Sequence, residues 1–179
     1  MDADELTALA RSAGTGNLDA TARFIRATQA DVWRLCAVLG ARGEADDLTQ
    51  ETYLRAFQAL SRFAGRSTAR TWLLAIARRV CADSLRSHQR RPQVDPARTP
   101  LDVEPATADI GDGVALRGLV RELDPERREA FVLTQVLGLA YAEAAEVCGC
   151  PVGTIRSRVA RARDDLVTWL AADEETGSA

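Results

Sequence analysis

Apolar positions recur along this chain at intervals of three and four, and nowhere alternate for long, which is the signature of helices and not of strands. Phe24, Ile25, Val32, Leu35 and Leu39 form one inward stripe within Leu18 to Leu39, and Gly40 and Gly43 interrupt it. Ala45, Asp46, Asp47 and Leu48 then open a second helix, with acids near the positive end of its dipole. Its pattern continues through Tyr53, Leu54 and Phe57 to about Leu60, and Leu48 and Leu54 are expected to face inward. Small and polar residues over 63–70 read as a loop. From Thr71 to about Gln89 the pattern predicts a helix with Trp72, Ile76, Val80 and Leu85 inside and Arg78, Arg79, Asp83 and Arg86 outside. Leu116, Leu119, Val120 and Leu123 suggest another, stopped at Asp124 and Pro125, and one more spans Glu126 to Leu137.

Residues 141–163 carry the most specific local pattern: helix, tight turn, helix. Gly149 stands where the first helix needs a left-handed residue. Cys150 can cap the next helix and Pro151 can begin it, because proline's missing N–H would have no partner there. Ile155, Val159, Ala162 and Leu166 fall on one apolar stripe of that second helix. Arg156, Ser157 and Ala160 lie on the opposite face, flanked by Arg158, Arg161 and Arg163. An apolar back with an exposed face of arginines and a small hydroxyl suits a helix lying in a DNA major groove.

Between the two helical regions, residues 92–113 hold Pro92, Pro96, Pro100 and Pro105, five acids and almost no large apolar side chain. Such a stretch cannot bury enough surface to offset its ordering and is expected to be an extended linker. The chain therefore divides into a first unit over 6–91, a linker over 92–113 and a second unit over 114–170. The fold class is all-α, two small helical domains joined by an acidic tether.

Charge sharpens this division. The net charge of −3 is wrong for a nucleic-acid binder taken as an average, but residues 62–91 carry eight arginines and one aspartate, and 152–163 carry four arginines and no acid. Two basic blocks are thus set apart by an acidic segment. All 23 basic residues are arginine. Four scattered cysteines do not make a disulfide framework, and Cys148 and Cys150 lack the further ligands that structural zinc needs. His88 is the single histidine and sits in an arginine-rich stretch. No Gly-rich phosphate loop, metal-ligand set or nucleophile with an evident base is present, so neither an enzyme, a metal site nor a cofactor is expected. No run of 18 apolar residues exists and the first residues are acidic, so no membrane insertion is expected and a cytoplasmic location is.

Three motifs occur in order: Asp46 to Phe57, Thr71 to Arg78, and Cys150 to Arg158. In this combination and spacing the chain, from about residue 10 to 170, resembles bacterial RNA polymerase sigma factors of the extracytoplasmic-function (ECF) type. These are the group 4 members of the sigma-70 family, reduced to the second and fourth sigma domains. The resemblance implies that Asp47, Gln50, Glu51 and Arg55 dock on the clamp helices of the polymerase β′ subunit. Their spacing places them on one polar helix face. It further implies that residues 63–70 and the helix after them read the −10 element and hold the separated non-template strand. Arg66, Arg70, Arg78 and Arg79 would supply charge, and Ser67 and Thr68 would bond a base edge. Arg79 and Asp83 stand at positions that often carry asparagine in this family.

In the second unit, Arg156, Ser157 and Ala160 match the family's −35 readers, and relatives often carry a bulkier residue where Ala160 stands. Arg158, Arg161, Arg163 and the helix start at Val152 to Thr154 would grip phosphates. The partners implied are core RNA polymerase, through the β′ clamp helices and the β flap, promoter DNA and an anti-sigma factor. The linker would thread the polymerase active-site cleft and RNA exit path. A stand-alone helix-turn-helix regulator, with residues 1–91 as its sensor, is the alternative. It would require a ligand pocket or phospho-acceptor in that first unit.

Overall fold

In the computed structural model, residues 1–90 and 118–176 are described, with side chains to residue 171. The expected linker over 92–113 lies outside them, as do the first residues of the helix expected from Val114. The described elements are all helical and fall into two compact units divided after Pro92.

The first unit is a four-helix assembly of α1 (Ala3–Gly14), α2 (Leu18–Leu39), α3 (Ala45–Leu60) and α4 (Ala69–Arg90). Helix α2 packs on the other three, and its Phe24, Val32 and Leu35 are fully buried, as are Ala10 of α1, Ala56 of α3 and Leu73, Leu74 and Val80 of α4. Caps start the helices: Asp2 Oδ1 accepts from Glu5 N at 2.7 Å, and Asn17 Oδ1 from Ala20 N at 3.1 Å. Helix α1 is an addition to the pattern read from sequence, and its signal is local, an Asp-x-x-Glu start at Asp2. Gly40 is required for space: a Cβ there would lie 2.7 Å from the backbone oxygen of Cys36 as well as 2.2 Å from Leu48 Cδ1, where α2 ends against α3. Inside the unit, Tyr53 Oη and Thr28 Oγ1 share a 2.7 Å hydrogen bond. Burial there pushes the Tyr53 hydroxyl up to about 12. Cys36 and Cys81 meet between α2 and α4, and the contact with Cys81 draws the Cys36 thiol below its ordinary value against the opposing effect of burial.

Two apolar residues expected inside lie outside. Leu54 is 59% exposed, because the buried stripe of α3 runs Leu48, Thr52, Ala56 and Leu60, and Leu54 is about 200° around the helix from Thr52. Leu85 is 37% exposed, because no residue of α4 beyond Cys81 is buried.

The second unit holds α5 (118–122), α6 (Pro125–Phe131), α7 (Tyr141–Cys148) and α8 (Val152–Thr176). Asp124 caps α6 through Glu126 N at 3.0 Å, with Pro125 in the first turn. The single helix expected over Glu126 to Leu137 instead widens after Phe131 into a π turn over Val132–Val136, closed by Leu137 N to Val132 O at 2.9 Å. The extra residue in the turn keeps Val132, Leu133 and Leu137 buried while Gln135 and Val136 face outward. Helix α7 starts with Glu143 Oε2 accepting from Ala140 N at 2.9 Å, and ends at Gly149, whose φ of 66° is left-handed. Ile155, Val159, Ala162 and Leu166 are buried on the inner face of α8, as their spacing predicts. The start of α8 differs by one residue: the Pro151 carbonyl takes the first helical N–H groups, from Thr154 at 2.9 Å and Ile155 at 3.3 Å. Cys150 lies outside the helix, and its Sγ accepts from Arg158 Nη1 at 3.7 Å instead of capping a backbone N–H.

Candidate nucleic-acid interface

On the first unit the polar face of α3 carries Asp47 and Gln50, both exposed, and Glu51 and Arg55, partly buried. Arg55 Nε donates to Glu51 Oε1 at 2.6 Å, and its Nη1 crosses to α4 and donates to Asp83 Oδ2 at 2.7 Å. Arg86 Nη2 donates to the other oxygen, Asp83 Oδ1, at 2.5 Å. The two arginines hold the Asp83 carboxyl below its ordinary range, Arg55 first and then Arg86. Asp83 and Glu51 in turn hold the Arg55 guanidinium above its own. Residues that resemblance assigns to two surfaces, one for polymerase and one for the −10 strand, are thus joined in one network.

The loop before α4 is anchored at both ends. The Phe63 ring packs on Trp72 with centroids 5.0 Å apart, so Trp72 serves the loop as much as the core. Thr68 is the N-cap of α4: its Oγ1 accepts from Thr71 N at 3.1 Å, and its carbonyl from Trp72 N at 3.0 Å. Arg70 lies against Asp31 of α2, with Nε at 2.8 Å and Nη2 at 2.7 Å from Oδ2. Between these anchors Arg66 is exposed and Ser67 partly buried. About two and a half turns into α4, Arg78 is partly buried and Arg79 exposed. His88 Nε2 lies 2.5 Å from Glu44 Oε1, whose other oxygen accepts from Ser84 Oγ at 2.7 Å.

On the second unit, Arg156, Ser157, Ala160, Arg161 and Arg163 are exposed along α8, and Thr154 is partly so. Ser157 Oγ donates back to Thr154 O at 2.9 Å. Two of the arginines are held by other elements. Arg158, with 17% of its side chain exposed, pairs with Glu126 at the start of α6 as well as with Cys150. Arg163 Nη2 donates to Gln135 Oε1, in the π turn, at 2.6 Å. Arg127 Nη1 braces the same two helices through Asp165 Oδ2 at 2.6 Å. Thr154, Ser157, Arg158 and Arg161 line a shallow concavity with Asp124, Glu126 and Arg127.

Asp31, Glu126 and Gln135 escape sequence reasoning. Arg70 and Arg163 meet their partners 39 and 28 residues away, and no local pattern announces such a pair. The Thr68 cap had a signal, a threonine preceding a regular apolar run. Among the described residues no three His, Cys, Asp or Glu side chains are arranged to hold a metal ion, and no helix is long and apolar enough to cross a membrane.

The two units coincide with two known families of domain. Residues 24–91 match sigma-70 region 2, and residues 113–166 match sigma-70 region 4. Over 179 residues the chain is 52% identical to the ECF RNA polymerase sigma factor SigC of Mycobacterium tuberculosis, covering 98% of this chain and 97% of that one. It is 36% identical over 138 residues to the ECF sigma factor EcfG of Rhodopseudomonas palustris, covering 75% of each. Among solved structures it is similar to CnrH in complex with the cytosolic domain of CnrY, with a TM-score of 0.74 at 28% identity over 96% of this chain and 99% of that one. It is also similar to the sigma factor RpoE in complex with the anti-sigma factor NepR from Bartonella quintana, with a TM-score of 0.73 at 27% identity over 86% and 98%. With a basic loop and helix in the first unit and an arginine-faced recognition helix in the second, the chain belongs to the sigma-70 family, in its ECF branch, and is a promoter-recognising sigma factor.

Proposed function

We propose that the two units divide the work of promoter recognition between them while core RNA polymerase sets their separation. Asp47, Gln50, Glu51 and Arg55 on α3 form the face that docks on the β′ clamp helices. Arg66, Ser67, Thr68, Arg70, Arg78, Arg79 and Asp83 form the −10 region. Within it Arg66, Arg78 and Arg79 supply the positive groove, Ser67 offers a hydroxyl to a flipped base, and Thr68 and Arg70 hold the loop in shape. In the second unit Arg156, Ser157 and Ala160 face the −35 bases. Thr154, Arg161 and Arg163 take the phosphates, and Arg158 braces the recognition helix against α6. That unit also meets the β flap. The chain acts by binding and not by catalysis.

One observation carries this reading: α8 buries Ile155, Val159 and Ala162 and leaves Arg156, Ala160 and Arg161 exposed on the other side. An anti-sigma partner is supported by the similar CnrH and RpoE chains, the second of which was solved with the anti-sigma factor NepR. Run-off transcription with core polymerase on a promoter library tests the proposal. We expect specific transcripts when chain and core are combined, and weak promoter binding by the chain alone, because its two DNA surfaces are joined by an acidic tether. Tight sequence-specific duplex binding without stimulation of core would point instead to an operator-binding regulator.

A further inference from the structure

We propose that Asp83 is a positioning residue that ties the polymerase-docking helix α3 to the strand-binding helix α4, and does not itself read a −10 base. The inference deepens the proposed function and rests on its assignment of α3 to polymerase. An ionised carboxylate can only accept hydrogen bonds, so as a reader Asp83 would have to take an N–H from a base, either an amino group or the ring N–H of guanine or thymine. Both of its oxygens are already engaged, Oδ2 by Arg55 from α3 and Oδ1 by Arg86 from the next turn of α4. Releasing them toward DNA would leave an unpaired negative charge beside phosphates.

The bridge does fix Arg55. That guanidinium spans Glu51, one turn back on its own helix, and Asp83 on the neighbouring one. A long, partly exposed side chain that would otherwise sample many rotamers is thereby presented in one geometry on the docking face, which lowers the ordering cost of binding. The chain Glu51, Arg55, Asp83, Arg86 balances its own charges, so the positive groove of the first unit draws on Arg66, Arg78 and Arg79 instead. As a contribution to folding, exposed pairs of this kind are worth little, so the bridge's effect belongs in binding.

The test uses the full chain with core polymerase and the variants Asp83→Asn, Asp83→Glu, Arg55→Ala and Asp83→Asn/Arg55→Ala, with melting curves to verify folding. Two quantities are measured: affinity for core, and open-complex formation on promoters carrying each base at each −10 position. Asp83→Asn is expected to weaken core binding roughly two- to fivefold. That loss should vanish in the Arg55→Ala background, since the pair acts as a unit, and Asp83→Glu should recover most of the affinity. The −10 base preference should be the same throughout. A changed preference at one −10 position in Asp83→Asn would make Asp83 a reader and overturn the proposal. Unchanged or tighter core binding by Asp83→Asn, or additive losses in the double variant, would overturn it too. Failure of the unsubstituted chain to bind core would instead defeat the docking role of α3 itself.

Discussion

Arg156 and Arg163 lie on the same helix two turns apart, yet their surroundings differ. Seven residues apart, they project from one side of α8, but Arg156 is exposed near the start of the helix, whereas Arg163, further along, is steadied by Gln135. Arg156→Ala is expected to lose about 1–3 kcal/mol of −35 discrimination, the worth of a bidentate pair with a guanine edge. Arg163→Ala should weaken all promoters about equally and flatten the salt slope by roughly one unit. Binding of the polymerase complex to a −35 library at several salt concentrations separates the two, and identical sequence profiles would refute the assignment of roles. Tyr53 offers a residue-scale prediction of another kind. Its hydroxyl, pushed up to about 12 by burial, stays protonated in the folded chain at a pH where the unfolded chain ionises. The folded state then binds more protons than the unfolded one, so stability falls as pH rises from about 10 to 12. Tyr53→Phe should remove that part of the alkaline decline, read by urea unfolding at pH 9, 10 and 11.

At the scale of elements, the turn between α7 and α8 aims the recognition helix, and it depends on one backbone conformation. Gly149 has φ 66° and ψ 38°, and nothing lies within 4 Å of where a Cβ would stand. The requirement is therefore one of dihedral angle and not of space. Gly149→Ala should cost roughly 1 kcal/mol of stability in the second unit with no steric clash. Gly149→Asn should cost less, since asparagine tolerates the left-handed region. Thermal unfolding of the three chains checks the order, and an alanine variant as stable as the parent would refute the argument. The π turn over Val132–Val136 is a second element-scale device, because it turns Gln135 outward to meet Arg163.

At the scale of the whole molecule, two binding units need a connection that permits both to engage at once. Composition and resemblance lead us to propose that residues 92–113 do more than connect. Proline favours an extended path, and acid suits a basic channel while repelling DNA. Replacing 92–113 by a Gly/Ser segment of equal length separates the readings. A threaded, acidic segment predicts near-normal promoter binding with an altered yield of short abortive RNAs. A plain spacer predicts an unchanged ratio of abortive to full-length product, and that result would end the threading proposal.

Much of this protein is determined by its sequence alone, for a physical reason: helix faces and turns depend on neighbours within a few residues. The periodicity of Phe24, Val32 and Leu35, the Gly149 and Pro151 turn, and the inner stripe from Ile155 to Leu166 are all of this kind, and all appear in the fold. The tertiary structure decided what spacing cannot express. Leu54 satisfied an apolar reading but lies on the wrong side of α3, because packing against α2 and α4 selected the Leu48, Thr52 and Ala56 stripe. The extra residue in the turn after Phe131 was likewise chosen by the core beneath it. The partners of the arginines were decided the same way. Asp31 takes Arg70, Glu126 takes Arg158 and Asp83 joins Arg55 to Arg86, so which cations face outward depends on carboxylates that only folding brings near. A run of arginines marks a basic segment from local composition, but the direction of each charge is a long-range property.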